Sequence, residues 1–538
     1  MDLNRAETTP TDYIKNPILP GFNPDPSIIR VGDDYYIATS TFEWYPGVLI
    51  YHSKDLKNWR LTARPLSRLS QLDLTGVPSS GGIWAPCLSY NDGTYYLCYT
   101  IVLNHDGIFW NMHNYIVTSN DICDEWSEPI YLHSDGFDPS LFHDDDGTKW
   151  LVHRSLDYRN PNRGIALQEY SEKEKKLIGK QLIIFKRSDI GDAEAPHIYK
   201  LNGWYYLIVA EGGTGLGHCV TVMRAKNIEG PYEPDPQNPM LTSRDDLTLP
   251  LQKAGHADIV QTQTGEWYMV HLCGRPIKTS GLCTLGRETC LEKVVWTKEG
   301  WLRIEGGDNK PMLYVPAPKL EEKYFKSTQD KDDFDSTTLD INFQTLRIPI
   351  DEFYITLKER PGYLRLKGRE SLNSRFKQSI VARRQLSFCF TASTCVEFEP
   401  LSFKHMAGLT CYYNTMSFHY LKISYKEGLG KSLEIITCDN EIYSFPVNEP
   451  ICIEGWKRCY LKSKISYQNL QFLYSKDGVN WNKIGPVLDA GILSDEHVNG
   501  WAFTGAFIGI CCQDLTGGAI AADFDYFVVT QTSPHDKD

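Results

Sequence analysis

At 538 residues the chain is several times the length of an ordinary domain, which predicts two to four domains or two large ones. A hydrophobic fraction of 41% and a charged fraction of 23% exclude a disordered, collagen-like or membrane-spanning chain, and no run approaches the ~18 apolar residues that a bilayer crossing needs. The formal charge of −13 repels phosphates, so a neutral partner is expected and neither nucleic acid nor an anionic membrane is.

The opening segment, MDLNRAETTPTDYIKNP, has no apolar core behind a basic start, so it does not read as a secretion signal. The 15 Cys are odd in number and lack CxxC pairs; several, such as Cys98 in YYLCYT and Cys389 in FCF, sit inside apolar strand-like runs. They read as reduced core residues rather than as a disulfide framework. No Asn-x-Ser/Thr sequon is present. A soluble protein of the cytoplasm is expected.

Next along the chain comes a repeat, which constrains architecture more tightly than any single element. One pattern occurs five times: a small or polar residue, often before Pro, an alternating apolar strand, a tight Asp/Asn/Gly turn and an aromatic strand. The copies are DPSIIRVGDDYYIATS from Asp25, APCLSYNDGTYYLCYT from Ala85, DPSLFHDDDGTKWLVHRS from Asp138, APHIYKLNGWYYLIVA from Ala195 and ADIVQTQTGEWYMVH from Ala257, starting 53 to 62 residues apart. Each reads as a β-hairpin. Outer turns echo one another as well, in SKDLKNW from Ser53, SNDICDEW from Ser119 and AKNIEGPY from Ala225. Five blade-sized repeats without long helical periodicity predict a five-bladed β-propeller over residues 14–315, the alternative being an irregular all-β sandwich.

Beyond Trp301 the stretch KPMLYVPAPKLEEKYFKSTQDKDD, rich in Pro and charge, reads as a linker. Strands such as GYLRLKG, HYLKISYKEG, LEIITCDN, LQFLYSKDGVNW and GAFIGICC then recur at sandwich-like spacing, so a second all-β domain is expected over residues 333–530. Its opening DDFDS and closing ADFDYFVV are expected to pair as neighbouring strands.

Aligning the five hairpins places Asp25, Trp84, Asp138, Glu194 and His256 at, or one residue before, the start of each innermost strand. In a propeller these starts ring one mouth of the central channel. Singly, each residue has a plainer role: Asp-Pro as a turn entry, Trp84 as core, His256 as a satisfied buried imidazole. Glu194, flanked by small residues, is the costliest to bury without a task. Aromatics make up 12% of the chain, a composition that suits strands and also stacking against sugar rings. Two or three carboxylates around an aromatic-walled pocket suit glycoside hydrolysis: one acid protonates the leaving oxygen, one carboxylate activates water, and a third beside the acid raises its pKa. HExxH, Cys/His ligand spacing, a DxDxDG loop, GxGxxG, a Walker loop and a GxSxG elbow are all missing, so no metal ligand set is assigned and no cofactor is expected.

At these residues the sequence resembles glycoside hydrolase family 43, in its two-domain, exo-acting β-xylosidase branch, from about Asn16 to Val529. The motifs that carry the resemblance are NPILPGFNPDPSI, STFEWYPGV, SKDLKNW, GGIWAP, GFDPSLF, EAPHIY, AEGGT, GHADIV, LGRET, FTGAFIG and ADFDYF. The resemblance implies a concanavalin-like sandwich behind the propeller, Asp25 as general base, Glu194 as general acid and Asp138 as the residue that tunes and orients Glu194. It further implies Phe42 and Trp84 against the sugar, Arg287 bonded to sugar hydroxyls, and His256 over an axial channel that in some members holds calcium. Phe507, or else Phe503, is implied as the sandwich residue closing the pocket. The implied reaction is hydrolysis with inversion, releasing xylose from the nonreducing end of β-1,4-xylo-oligosaccharides. Relatives often form homo-oligomers. Two departures stand out: Cys87 follows WAP where Asp is common, and Phe343 stands where Trp is usual.

Two alternatives stay open. The same fold hosts α-L-arabinofuranosidases, as a main or a secondary activity. A non-catalytic sugar-binding propeller is the other, and the three carboxylates argue against it, because like charges in one funnel cost free energy unless chemistry uses them.

Overall fold

The computed structural model describes residues 12–160, 163–326 and 330–533. Five antiparallel sheets follow one another around an axis. Their innermost strands are Ser27–Val31, Gly82–Asn91, Phe137–His143, Glu194–Leu201 and Gln252–Gln261, so each expected hairpin opens a blade. Local chemistry sets the turns: Asp92-Gly93 and Asn202-Gly203 have positive φ at both positions, the backbone a two-residue hairpin needs. At the outer turn of blade one, the Ser53 hydroxyl accepts from the Leu56 N–H and the Asp55 carboxylate from the Lys57 and Asn58 N–H groups. The Ser-x-Asp signature, repeated at Ser119 and Asp121, is thus a capped turn. Apolar side chains alternate into five seams between neighbouring blades, which together form the propeller core.

The ring closes through the chain before blade one. Tyr13–Lys15 pairs with Tyr314–Pro316, the Asn16 side chain bonds to Leu291 through both its ends, and the Asn23 N–H donates to the Arg287 carbonyl at 2.9 Å. This lays residues 16–25 along the third strand of blade five, Arg287–Trp296.

The entries to the innermost strands share a backbone device. Asp25, Ala85, Asp138, Ala195 and His256 all have left-handed φ, between 39° and 54°. In blades two to five the ladder also slips register at this point. Non-glycine residues in this region cost about 1–3 kcal/mol each and persist only where their surroundings fix them. A bulge re-aims side chains, and here it turns them into the channel mouth.

The second domain packs two sheets face to face. Lys331–Asp332 pairs with Ala521–Gln531 as expected, within a sheet whose partner contains Ser379–Arg384, Phe507–Asp514, His405–Asn414 and Ser417–Lys426. Phe343 fills the core between them, beside Phe334 and Phe527. The partner sheet turns its other face to the propeller, where Phe22, Trp44, Tyr412 and Phe507 form one apolar cluster. Trp44–Tyr45 pairs across the seam with Thr345–Leu346, and the Trp44 and Phe507 rings stack at 3.6 Å between centroids.

Phe507→Ala is expected to lose about 3–5 kcal/mol of stability by opening a cavity in this seam, seen as a lower denaturation midpoint in tryptophan fluorescence. A midpoint equal to the parent's would show that the stack does not hold the domains.

Candidate active site

Asp25, Asp138 and Glu194 line one pocket of about 250 Å³ at the propeller mouth. Phe42, Trp84, His256 and Arg287 line it too, so seven of the eight residues singled out in the sequence come together. Phe507 does not. It is fully buried in the domain seam under Trp44, and Phe503, four residues earlier on the loop before that strand, lines the pocket instead. The strand Phe507–Asp514 is a central part of its sheet, whereas the loop before it is free to reach the mouth. The Phe503 N–H donates to the Ser80 hydroxyl at 2.9 Å, which moors the loop beside Trp84.

Asp25 is 5% exposed. Its Oδ2 accepts from the Ser40 hydroxyl at 2.6 Å, and that hydroxyl in turn accepts the Ala85 N–H at 2.8 Å. Its Oδ1 accepts from Arg287 Nη1 at 3.1 Å. Burial pushes the carboxyl up, but Arg287, then His256 and the Ser40 hydroxyl outweigh it, and the pKa falls below the ordinary carboxylate value. Asp25 is therefore ionised at neutral pH.

Glu194 behaves in the opposite way. Burial is the largest influence on it; Arg154, with Nη1 3.4 Å from Oε2, opposes it, Asp192 and Asp25 add to it, and the pKa is raised to about 7. Asp138 is raised as well, by burial first and then by Glu194 and Asp25, while the Ala195 N–H at 3.0 Å favours its charged form. Glu194 and Asp138 thus hold a proton between them to unusually high pH. The site combines a carboxylate kept charged with a carboxyl pair kept partly protonated, as acid–base hydrolysis requires.

Arg287 binds Asp25, donates from Nη2 to the Phe503 carbonyl at 3.2 Å, and lies over the Phe42 and Phe503 rings. Its Nε is buried without a hydrogen-bond partner. His256 is neutral, its pKa lowered to about 4 by burial, with Nδ1 3.6 Å from Asp25. The surroundings of His256 do not fit a calcium cage built of side chains. That ion wants six to eight oxygens, and the carboxylate beside His256 already pairs with Arg287. Among the described residues no cluster of three His, Cys, Asp or Glu side chains converges to hold a metal. Cys87 does not line the pocket.

The sequence reading missed several walls. Trp110 and Trp501 meet edge to face at 5.3 Å across the mouth, and Trp501 is 42% exposed. Phe137, Arg154, Leu156, Asp192, Gly213 and Thr214 complete the lining. A signal existed for Trp501, which alternates with Phe503 on one extended segment; Trp110 sits in a hairpin loop that no repeat position marks.

A propeller whose channel mouth holds three carboxyls between aromatic walls under a sandwich loop defines a carbohydrate-cleaving hydrolase. Residues 14–302 match the model of glycosyl hydrolases family 43, and residues 331–530 match that of a β-xylosidase C-terminal concanavalin A-like domain. The chain belongs to glycoside hydrolase family 43. It is 51% identical to a β-xylosidase of Bacillus subtilis, over 96% of this chain and 99% of that one. It is 48% identical to xylosidase/arabinosidase 43B of Humicola insolens, over 96% and 97%. The crystal structure of a xylan β-1,4-xylosidase from Bacillus halodurans superposes with a TM-score of 0.95 at 53% identity, covering 96% of this chain and all of that one.

Asp25→Asn keeps the shape but removes the proton acceptor and the counter-charge of Arg287, so turnover is expected to fall by ~10²-fold or more, with a lower unfolding midpoint as well. A folded variant with near-parental turnover would remove Asp25 from the chemistry.

Proposed function

We propose that the chain is an inverting exo-glycosidase that releases xylose from the nonreducing end of β-1,4-xylo-oligosaccharides. The observation that carries this reading is the opposed proton affinity of Asp25 and Glu194 within one pocket roofed by the second domain. In the reaction Asp25 takes a proton from water, the water attacks the anomeric carbon from the face opposite the leaving group, the glycosidic C–O bond breaks, and Glu194 gives its proton to the departing oxygen. Asp138 and Glu194 share a proton to unusually high pH, and Asp138 gains negative charge as Glu194 keeps the proton that the departing oxygen claims. Arg287 and the Phe42 and Trp84 rings, which line the pocket, grip the sugar. The loop bearing Trp501 and Phe503 closes one end, so a polymer cannot thread through, and cleavage is confined to chain ends.

No step in this scheme passes through a metal or an organic cofactor, and water is the co-substrate. The double name of the Humicola relative, xylosidase/arabinosidase, and a 33% identical Bacteroides ovatus relative named as a non-reducing end α-L-arabinofuranosidase support a secondary α-L-arabinofuranosidase activity. The fifteen free thiols, thirteen of them buried, support a reducing, cytoplasmic setting.

Incubation with xylobiose, followed by NMR, tests the reading. The first sugar seen is expected to be α-xylose, and an aryl β-xyloside is expected to turn over faster than an aryl α-arabinofuranoside. Initial β-xylose would overturn single displacement, and a faster arabinofuranoside would overturn the substrate assignment.

The pH profile is expected to be a bell, with its acid limb from Asp25 and its upper limb from Glu194 near neutrality. In Asp138→Asn the like charge is gone, Glu194 ionises more readily, and the upper limb should move to lower pH. It should remain above the ordinary carboxylate range, since burial, the first cause of the shift, stays in place and Asp192 and Asp25 still add to it. An unmoved upper limb would show that Asp138 does not tune the acid.

A further inference from the structure

The pocket reaches solvent beside Trp110 and Trp501, and the aromatic surface continues past them. The innermost strand of each blade starts at the mouth, so the second strand runs back to it, and the turn from second to third strand stands on the mouth face. In blade two that turn joins Thr94–Asn104 to Asn111–Ser119 and carries Phe109 and Trp110. In blade three the chain leaving Lys149–Ser155 carries Leu156 and Tyr158 before the third strand, Gly164–Ser171. Trp110 and Leu156 line the pocket. Phe109, next to the first, and Tyr158, two residues beyond the second, meet edge to face at 5.3 Å between centroids. Two blades thus set one aromatic pair on the rim.

Both rings are open to water, Phe109 at 69% and Tyr158 at 59% exposure. Single exposed apolar side chains are ordinary, but neighbouring ones beside a pocket mark a surface that a ligand covers. The loops that bear them are tied down. The Asp106 N–H donates to the Asn104 side-chain oxygen and Trp110 Nε1 to the Gly107 carbonyl, each at 3.1 Å. Across the rim Arg159 donates to both Asp157 oxygens, and its guanidinium lies 6.0 Å from the Tyr158 ring centroid. Rings held in place beforehand lose little freedom when a ligand settles on them. The occupant follows from the position of the pair: a pocket of about 250 Å³, closed at one end by the sandwich loop, takes only the end of a sugar chain. Every further sugar has to come out across the rim. Its C–H face suits an aromatic ring, and its hydroxyls stay in water.

We propose that Phe109 and Tyr158 form a platform for the leaving part of the substrate, beyond the sugar that rests against Trp110 and Trp501, so that the enzyme favours xylo-oligosaccharides of three or more units over xylobiose. The proposal rests on the hydrolysis proposed above and adds a chain-length preference to it. A ring contact with a sugar remote from the breaking bond is the same before and during bond cleavage. It therefore lowers KM and leaves kcat where it was.

Initial rates of xylose release from xylobiose and xylotriose by the full chain test the proposal. The kcat/KM for xylotriose is expected to exceed that for xylobiose by about fivefold or more, through KM. In the double variant Phe109→Ala with Tyr158→Ala the ratio should fall to about one, whereas Phe109→Tyr with Tyr158→Phe, which keeps both ring faces, should retain it. Both side chains are exposed, so neither variant disturbs the core. A parent that hydrolyses the two substrates equally well, or a ratio that survives the double alanine variant, would overturn the platform and leave the hydrolase reading standing. Light scattering covers the rival occupant, a second copy of the chain: a dimer lost in the double alanine variant with the ratio unchanged would overturn the proposal in favour of that contact. A parent inactive on both sugars would overturn the hydrolysis and the platform together.

Discussion

A carboxylate that is to take a proton from water inside an aromatic pocket has to stay charged there, and Asp25 does so because Arg287 stands 3.1 Å away. Burial alone would protonate it. The two residues are 262 positions apart and belong to opposite ends of the propeller chain, so the ion pair exists only when the ring is shut. Shutting it is the work of residues 16–25, which lie along blade five through the Asn16 and Asn23 bonds. Arg287 also holds the carbonyl of Phe503, so one guanidinium joins the first blade, the last blade and the sandwich loop. Ring closure, base ionisation and pocket capping are one structural event.

The strained blade entries show how the remaining chemistry is positioned. Asp25, Asp138 and His256 occupy the left-handed position themselves, while Trp84 and Glu194 precede it by one residue. The five side chains therefore enter the mouth from two backbone positions. A fold that repeats one bulge five times gains a ring of inward-pointing side chains whose identities can vary while the backbone stays fixed. The cost in backbone strain is offset by the apolar seams between blades, which carry no function of their own.

Most of this was legible in the sequence because it repeats. The hairpin pattern at Asp25, Ala85, Asp138, Ala195 and Ala257 fixed the blade number, and aligned positions become neighbours under radial symmetry. What lay outside the repeat was harder to read. Trp110 reaches the pocket from a hairpin loop that the repeat does not mark, Arg154 lies in the third copy at a position where the other copies carry no cation, and the sandwich contributes through a loop, where the alternation that marks strands is weak. Phe507 and Phe503 sit in one motif, and composition cannot say which belongs to the strand and which to the loop before it. The backbone pairing of Phe507 with Tyr412 and Arg384 decides it.

The roof formed by Trp501 and Phe503 also governs traffic. The detached monosaccharide lies at the floor, beneath the piece from which it was cut, and the way out is the way in. Departure is therefore ordered: the shortened chain leaves first and the single sugar last. Free monosaccharide in the surroundings can re-enter an emptied pocket and stand in the path of the next chain end, so the enzyme slows itself as its product accumulates, and the same confinement that makes it nibble from one end sets a ceiling on how far a batch of substrate runs.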